Sequence, residues 1–183
     1  NVKLITSYSS AFIAPSTYQL FSDFGNLDLN PETSTTFEFG FDTQFGEKLS
    51  LNAVYFNREE SDAIVFASLN ITPFGQYQNA FTEIQVDGIE TEISYIFNDK
   101  ISINGNYTLT NRNQDVDYIP KNKWLTSIEY SLVKNLNATV IYRNIGDRSA
   151  SFFNAVSSTV VSTTLEDYNL LDVNFSYKFY NNK

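Results

Sequence analysis

The stretch Phe37-Glu38-Phe39-Gly40-Phe41-Asp42-Thr43-Gln44-Phe45 decides how the chain is read. Odd positions carry Phe, Phe, Phe, Thr and Phe, and even positions carry Glu, Gly, Asp and Gln. A period of two places each set on one face of a strand, and helical spacing does not reproduce it. The same alternation recurs on either side. Leu49, Leu51, Ala53 and Tyr55 oppose Ser50 and Asn52, and Ile89, Ile93, Tyr95 and Phe97 oppose Glu90, Glu92 and Ser94. Ile101, Ile103, Tyr107 and Leu109 oppose Ser102, Asn104 and Asn106, and Trp124, Ile128, Tyr130 and Leu132 oppose Ser127, Glu129 and Ser131. Leu136, Ala138, Val140 and Tyr142 form another such face, as do Leu171, Val173, Phe175, Tyr177 and Phe179. Val2 to Ser10 alternates less cleanly and is read as one more strand. The total is about eight strands, each close to the length that crosses a bilayer at a tilt.

Composition agrees with this. The 183 residues include 16 Phe and 12 Tyr, with 42% hydrophobic and 18% charged residues. A chain this aromatic with a mean hydropathy of −0.25 must segregate its apolar and polar residues, and alternation does so. The formal charge of −9 argues against nucleic acid, whose phosphates need clustered Lys and Arg. Cysteine and histidine are absent, which removes disulfides, thiol chemistry, Ser-His triads and the commonest metal ligand. No cofactor is expected.

The connections alternate in length. Gly46-Glu47-Lys48, Asn98-Asp99-Lys100 and Val133-Lys134-Asn135 read as tight turns. Ala11 to Thr33, Arg58 to about Gln76, Asn111 to Pro120 and Ile145 to Asp167 read as long polar loops. Short turns at one end and long loops at the other describe an outer-membrane barrel, with the turns periplasmic and the loops extracellular. The polar face is mostly Ser, Asn, Thr and Gln, which suits a hydrated lumen better than the charged exterior of a soluble sandwich. Tyr55, Phe56, Tyr95, Phe97, Trp124, Tyr142, Tyr177 and Phe179 lie near strand ends, where girdle residues sit. The expected fold is therefore all-β: an antiparallel meander of about eight strands forming part of a transmembrane β-barrel. A small self-contained outer-membrane barrel, serving as an adhesin or structural protein, stays open at this point. So does a soluble β-sheet binding module.

A family resemblance sharpens the choice. Ala14-Pro15-Ser16-Thr17-Tyr18-Gln19-Leu20-Phe21 is followed by Gly25-Asn26-Leu27-Asp28-Leu29-Asn30-Pro31-Glu32-Thr33-Ser34, and then by Phe37-Glu38-Phe39-Gly40. This run resembles a signature of TonB-dependent outer-membrane receptors that precedes a barrel strand. Tyr77-Gln78-Asn79 with Val86-Asp87-Gly88-Ile89-Glu90, Ile119-Pro120-Lys121-Asn122-Lys123-Trp124, Tyr142 to Arg148 and Tyr168 to Val173 resemble its later strands. The order of motifs is most similar to the cobalamin-receptor branch, with siderophore receptors close behind.

The resemblance implies that residues 1–183 are a C-terminal portion of such a barrel, without the plug domain and the final hairpin. It implies a transporter, with no catalysis, in the bacterial cell outer membrane. The partners it implies are outer-membrane lipid and a large nutrient ligand (cobalamin or a siderophore). The TonB complex would be reached only through the plug. Nucleic acid is not an expected partner. Gly25, Asn26, Leu29, Pro31, Glu32, Gly88 and Glu90 are expected to shape loops and strand beginnings, with Glu32 able to bond loop amides. The ligand candidates are the loop aromatics, chiefly Phe21, Phe66, Tyr77 and Phe152, with Phe24, Phe74 and Phe153 beside them. Glu59-Glu60, Asp115/Asp117 and Glu90/Glu92 are read as solvated charge, in preference to acid–base pairs or a calcium loop.

Overall fold

The computed structural model describes residues 1–68, 74–114, 116–157 and 159–179. Asp115, weighed above, and the chain end Tyr180-Asn181-Asn182-Lys183 lie outside the described residues. In chain order the elements are β1 (Val2–Ile13), α1 (Thr17–Phe21), β2 (Glu32–Phe45), β3 (Leu49–Ser61), β4 (Ile64–Ser68) and β5 (Gly75–Asn79). They continue with β6 (Ile84–Asn98), β7 (Ile101–Arg112), β8 (Asn122–Val133), β9 (Leu136–Ile145), β10 (Arg148–Asn154), β11 (Thr159–Leu165) and β12 (Tyr168–Tyr177).

Eight of the strands form one sheet in the order β1-β2-β3-β6-β7-β8-β9-β12. Every neighbouring pair is antiparallel. β4-β5 and β10-β11 are separate two-stranded hairpins. The expected meander is therefore present, and two of the expected loops carry hairpins of their own. β2 and β3 also extend past the alternating core of the sequence, to Glu32 and Ser61. The three expected turns join β2 to β3, β6 to β7 and β8 to β9. Gly46 (φ 62°) and Asn135 (φ 76°) take the left-handed backbone these turns require. Asn98 Oδ1 accepts from the amides of Lys100 and Ile101.

Directly opposed residues share a face, so the register fixes facing across the whole sheet. The chain of partners Leu4, Phe41, Ala53, Thr91, Tyr107 and Trp124 crosses six strands. Val2, Tyr8, Phe37, Phe39, Leu49, Leu51, Ile89, Ile93, Ile101, Ile103, Ile128, Val140, Val173 and Phe175 lie on that same side. The opposite side carries Glu38, Asn52, Glu90, Glu92, Ser94, Asn104, Asn106, Ser127 and Thr139, with Gly40 and Gly88 among them. Depressions in the sheet lie on this polar side, one lined by Ser9, Thr36, Glu38, Glu90 and Thr110 among others. The polar face is the concave one.

Phe56 departs from the expected girdle. It follows Tyr55 directly, so it points to the polar side, where its ring lies over Gly88. A Cβ at Gly88 would collide with that ring and with the Leu109 carbonyl, so glycine is needed for the strands to approach here. Tyr55 faces the apolar side but lies mid-strand, opposite Phe39, whereas the remaining expected girdle aromatics mark rims. Tyr95 and Phe97 (centroids 6.3 Å apart) and Tyr177 and Phe179 (4.8 Å) stand at the turn end, and Trp124 with Tyr142 (6.0 Å) at the loop end.

The sheet has almost no core. Among the described residues only Leu29, Val86 and Ala150 are buried apolar side chains. The accessible surface is 13275 Å², against about 9,000 Å² for a compact soluble protein of this mass. A single-layer wall with its aliphatic and aromatic side chains outward needs lipid on that side.

Phe39 sits mid-strand on the apolar face and Asn104 on the polar face of β7. Phe39→Lys is expected to destabilise the barrel in phospholipid vesicles by about 2–4 kcal/mol, and Asn104→Lys by under about 1 kcal/mol. Denaturant unfolding followed by Trp124 fluorescence checks the difference.

Candidate functional site

All four long connections leave the sheet at the same end, opposite the tight turns. The first runs from Ala14 to Pro31. Ser16 caps α1: its hydroxyl accepts from the Gln19 amide (3.2 Å), and the Gln19 side chain accepts from the Ser16 amide (2.8 Å). The chain then doubles back. Gly25 N–H donates to Ser22 (2.8 Å) and Asn26 N–H to the Gln19 carbonyl (2.9 Å). Gly25 packs so closely on the end of α1 that a Cβ there would lie 2.5 Å from the Leu20 carbonyl oxygen. Asn26 Oδ1 accepts from the Asp28 amide (2.9 Å), Leu29 turns inward to 8% exposure, and Pro31 ends the loop where β2 begins.

This loop is bound to the β4-β5 hairpin. Asn26 Nδ2 donates to the Tyr77 carbonyl (3.1 Å), the Tyr77 amide to Phe24 (3.0 Å) and Gln76 Nε2 to Gly25 (3.2 Å). Asn79 Oδ1 accepts from the Asn30 amide (2.8 Å), while its Nδ2 donates to the carbonyls of Asn30 (3.0 Å) and Asp62 (2.6 Å). The Glu32 carboxylate accepts from the Ile64 amide at 2.7 Å. Edge-to-face contacts reinforce the polar clamp. Phe66 meets Phe24 (5.7 Å), Phe74 (6.1 Å) and Tyr77 (5.4 Å), and Tyr18 meets Tyr77 (6.1 Å).

The structure therefore brings together two of the four aromatic ligand candidates, Phe66 and Tyr77, in one loop-packing cluster. Phe21 lies beside it and is exposed (70%). Phe152 is on the other hairpin, opposite Val161 and about half-exposed. Gly25, Asn26, Leu29, Pro31 and Glu32 sit in the clamp, whereas Gly88 and Glu90 lie on β6 facing the concave side. Sequence reading alone did not give the roles of Tyr18 and Asn79, whose partners are distant along the chain.

A second loop assembly stands beside the first. Segment 116–121 pairs with β10 through Tyr118 N–H to the Ser149 carbonyl (2.7 Å) and Ser151 Oγ to Asp117 (3.1 Å). Arg148 lies over the Tyr168 ring, 5.1 Å from its centroid. On the concave face Ser7 donates to Glu38 (2.8 Å), Arg58 pairs with Glu60 (2.9 Å) and Arg143 pairs with Asp172 (2.6 Å). At the outer rim, a hydrogen bond with Glu59 and that residue's charge hold the Glu83 carboxyl above its ordinary range. Among the described residues no three carboxylates converge on a metal position.

An apolar convex face, a polar concave face and loops clamped at one rim define the wall of an outer-membrane β-barrel. Residues 1–182 match the family described as TonB dependent receptor-like, beta-barrel, and the chain belongs to it. It is an outer-membrane protein of Gram-negative bacteria. Its fold is similar to the siderophore receptor PirA from Acinetobacter baumannii, with a TM-score of 0.79 at 18% identity over 98% of this chain and 33% of that one. It is similar to the ferripyoverdine receptor of the outer membrane of Pseudomonas aeruginosa bound to ferripyoverdine, with a TM-score of 0.79 at 19% identity over 98% and 25%. For the FrpB iron transporter from Neisseria meningitidis the TM-score is 0.75 at 16% identity over 97% and 30%. The chain thus spans between a quarter and a third of the length of these structures.

Asn79→Ala removes three hydrogen bonds. It is expected to lower the local stability of the clamp by about 1–3 kcal/mol, read as faster amide exchange at Asn30 and Ile64 while β6 and β7 stay protected. The raised Glu83 carboxyl favours the folded rim below the ordinary carboxylate range, and this contribution is lost as pH rises through its folded value. Amide exchange at Ile84 and Gln85 should therefore accelerate as pH rises from the usual value of 4.5, after correction for intrinsic exchange. Glu83→Gln should remove the dependence.

Proposed function

We propose that residues 1–183 form a C-terminal part of the barrel wall and extracellular vestibule of an active importer of a scarce nutrient carried as an iron–siderophore complex. One observation carries the reading: two braced loop assemblies, both bearing exposed aromatics, stand over a polar concave wall. Such a rim presents rigid apolar groups to a large, partly apolar ligand above a wetted path. Similarity to receptors described as siderophore and iron transporters supports the same ligand class. Energy would come from the TonB complex acting through a plug domain, and chemistry in this chain is not required. Cobalamin is the second reading, favoured by the order of the sequence motifs. A self-contained adhesin barrel and a soluble binding module are both disfavoured by family membership.

In this reading Phe21 and Phe152 touch ligand, whereas Phe66 and Tyr77 also brace the loops. A strain lacking its own receptors and expressing the full-length receptor is expected to take up iron–siderophore. Residues 1–183 alone should take up none, because the edges of β1 and β12 stay unpaired and the lumen ungated. Phe21→Ala or Phe152→Ala should raise the half-saturating ligand concentration about five- to tenfold with the barrel intact. Phe66→Ala should also speed amide exchange at Asn26 and Tyr77. Uptake of cobalamin in place of the siderophore would select the second reading.

A further inference from the structure

Beside the clamp, a cavity of about 180 Å³ opens between the end of β7, segment 116–121 and the start of β10. Its lining includes Arg112, Lys121 and Arg148, with Asp147 the one carboxylate of that lining among the described residues. This concentration of cations is unusual in a chain with a formal charge of −9. Both guanidiniums also carry unsatisfied groups: Arg112 Nε and Arg148 Nη1 are buried and have no hydrogen-bond partner among the described residues. The two arginines contrast with Arg58 and Arg143, which pair with Glu60 and Asp172. A buried, unpaired guanidinium nitrogen is costly, and an oxyanion is the group whose geometry and charge offset that cost. Val116 and Ile119 line the same cavity beside the cations. Facing completes the case. Arg112 and Thr110 belong to the polar, concave set of β7, so the cavity is reached from the lumen side and not from lipid.

We propose that this cavity is a binding site for an oxyanion group, a carboxylate or phosphate borne by a solute on the concave side, with Arg112 and Arg148 as its ligands and Lys121 at its rim. The proposal rests on the importer reading only for where the solute comes from; the binding itself does not depend on transport.

Calorimetric titration of the full-length receptor in detergent with citrate, and separately with inorganic phosphate, tests it. Saturable binding of at least one anion is expected, weakening as sodium chloride is raised. Arg112→Gln combined with Arg148→Gln should reduce the affinity at least about tenfold, while Lys134→Gln in the opposite turn leaves it unchanged. Should the double variant fail to fold, Lys121→Gln, whose side chain is exposed, should still cost about threefold. Citrate binding without phosphate binding would assign the site to carboxylates, and the reverse to phosphates. Absence of saturable binding to the unaltered receptor, or equal affinity in the arginine and lysine variants, would overturn the proposal. Siderophore uptake measured in the same strains separates this outcome from the importer reading, which could survive it.

Discussion

Every feature of the sheet follows from one constraint: backbone N–H and C=O groups facing hydrocarbon must find partners in protein, since lipid supplies none. Eight strands laddered in chain order meet that demand over the interior of the wall. The ladder in turn dictates the side-chain pattern, because antiparallel pairing at fixed register sends alternate residues to lipid and to water. Gly88 beneath Phe56 shows how tightly the ladder controls spacing, since the strands meet there too closely for a β-carbon. Within the eight-stranded sheet the outer edges of β1 and β12 lack a partner strand among the described residues, and a closed barrel removes such edges by pairing them.

The wall was legible because its signal is local and repeated. Phe37 to Phe45 states its facing in nine residues, and the same parity recurs strand after strand. Phe56 stands beside a girdle aromatic in the sequence, but parity sends it to the face away from Tyr55, where it opposes Gly88. The hairpins were not anticipated. Ile64 to Ser68 is a short apolar run and Gly75 to Asn79 a short polar one, and five residues each are too few for a periodicity to register. Sequence alone allows Glu32 to bond loop amides, but its partner, the Ile64 amide 32 residues away, is set by the fold. The double grip of Asn79 was not anticipated, since its partners lie 17 and 49 residues away. Arg112 and Arg148 escaped notice for a similar reason: neither stands in a charged run, and only the folding of β7 beside β10 gathers them.

The signature around Gly25 to Glu32 also acquires a physical meaning. It is a connector whose backbone amides and carbonyls are matched to a second loop, so that two excursions behave as one body. Edge-to-face rings add apolar contact across the joint. Rigidity of this kind lowers the entropy lost when a solute is gripped, whatever that solute is.

Because β3 is hydrogen-bonded directly to β6, and β9 to β12, both hairpins are detours that return to the strand next door. Their length and sequence can drift without disturbing the register on either side, whereas inserting one residue within β3 would invert the facing of the rest of that strand. Selection by antibodies, phages or competing bacteria would therefore find the outer decoration of this molecule cheap to rewrite. Its membrane-spanning staves, by contrast, are held nearly fixed.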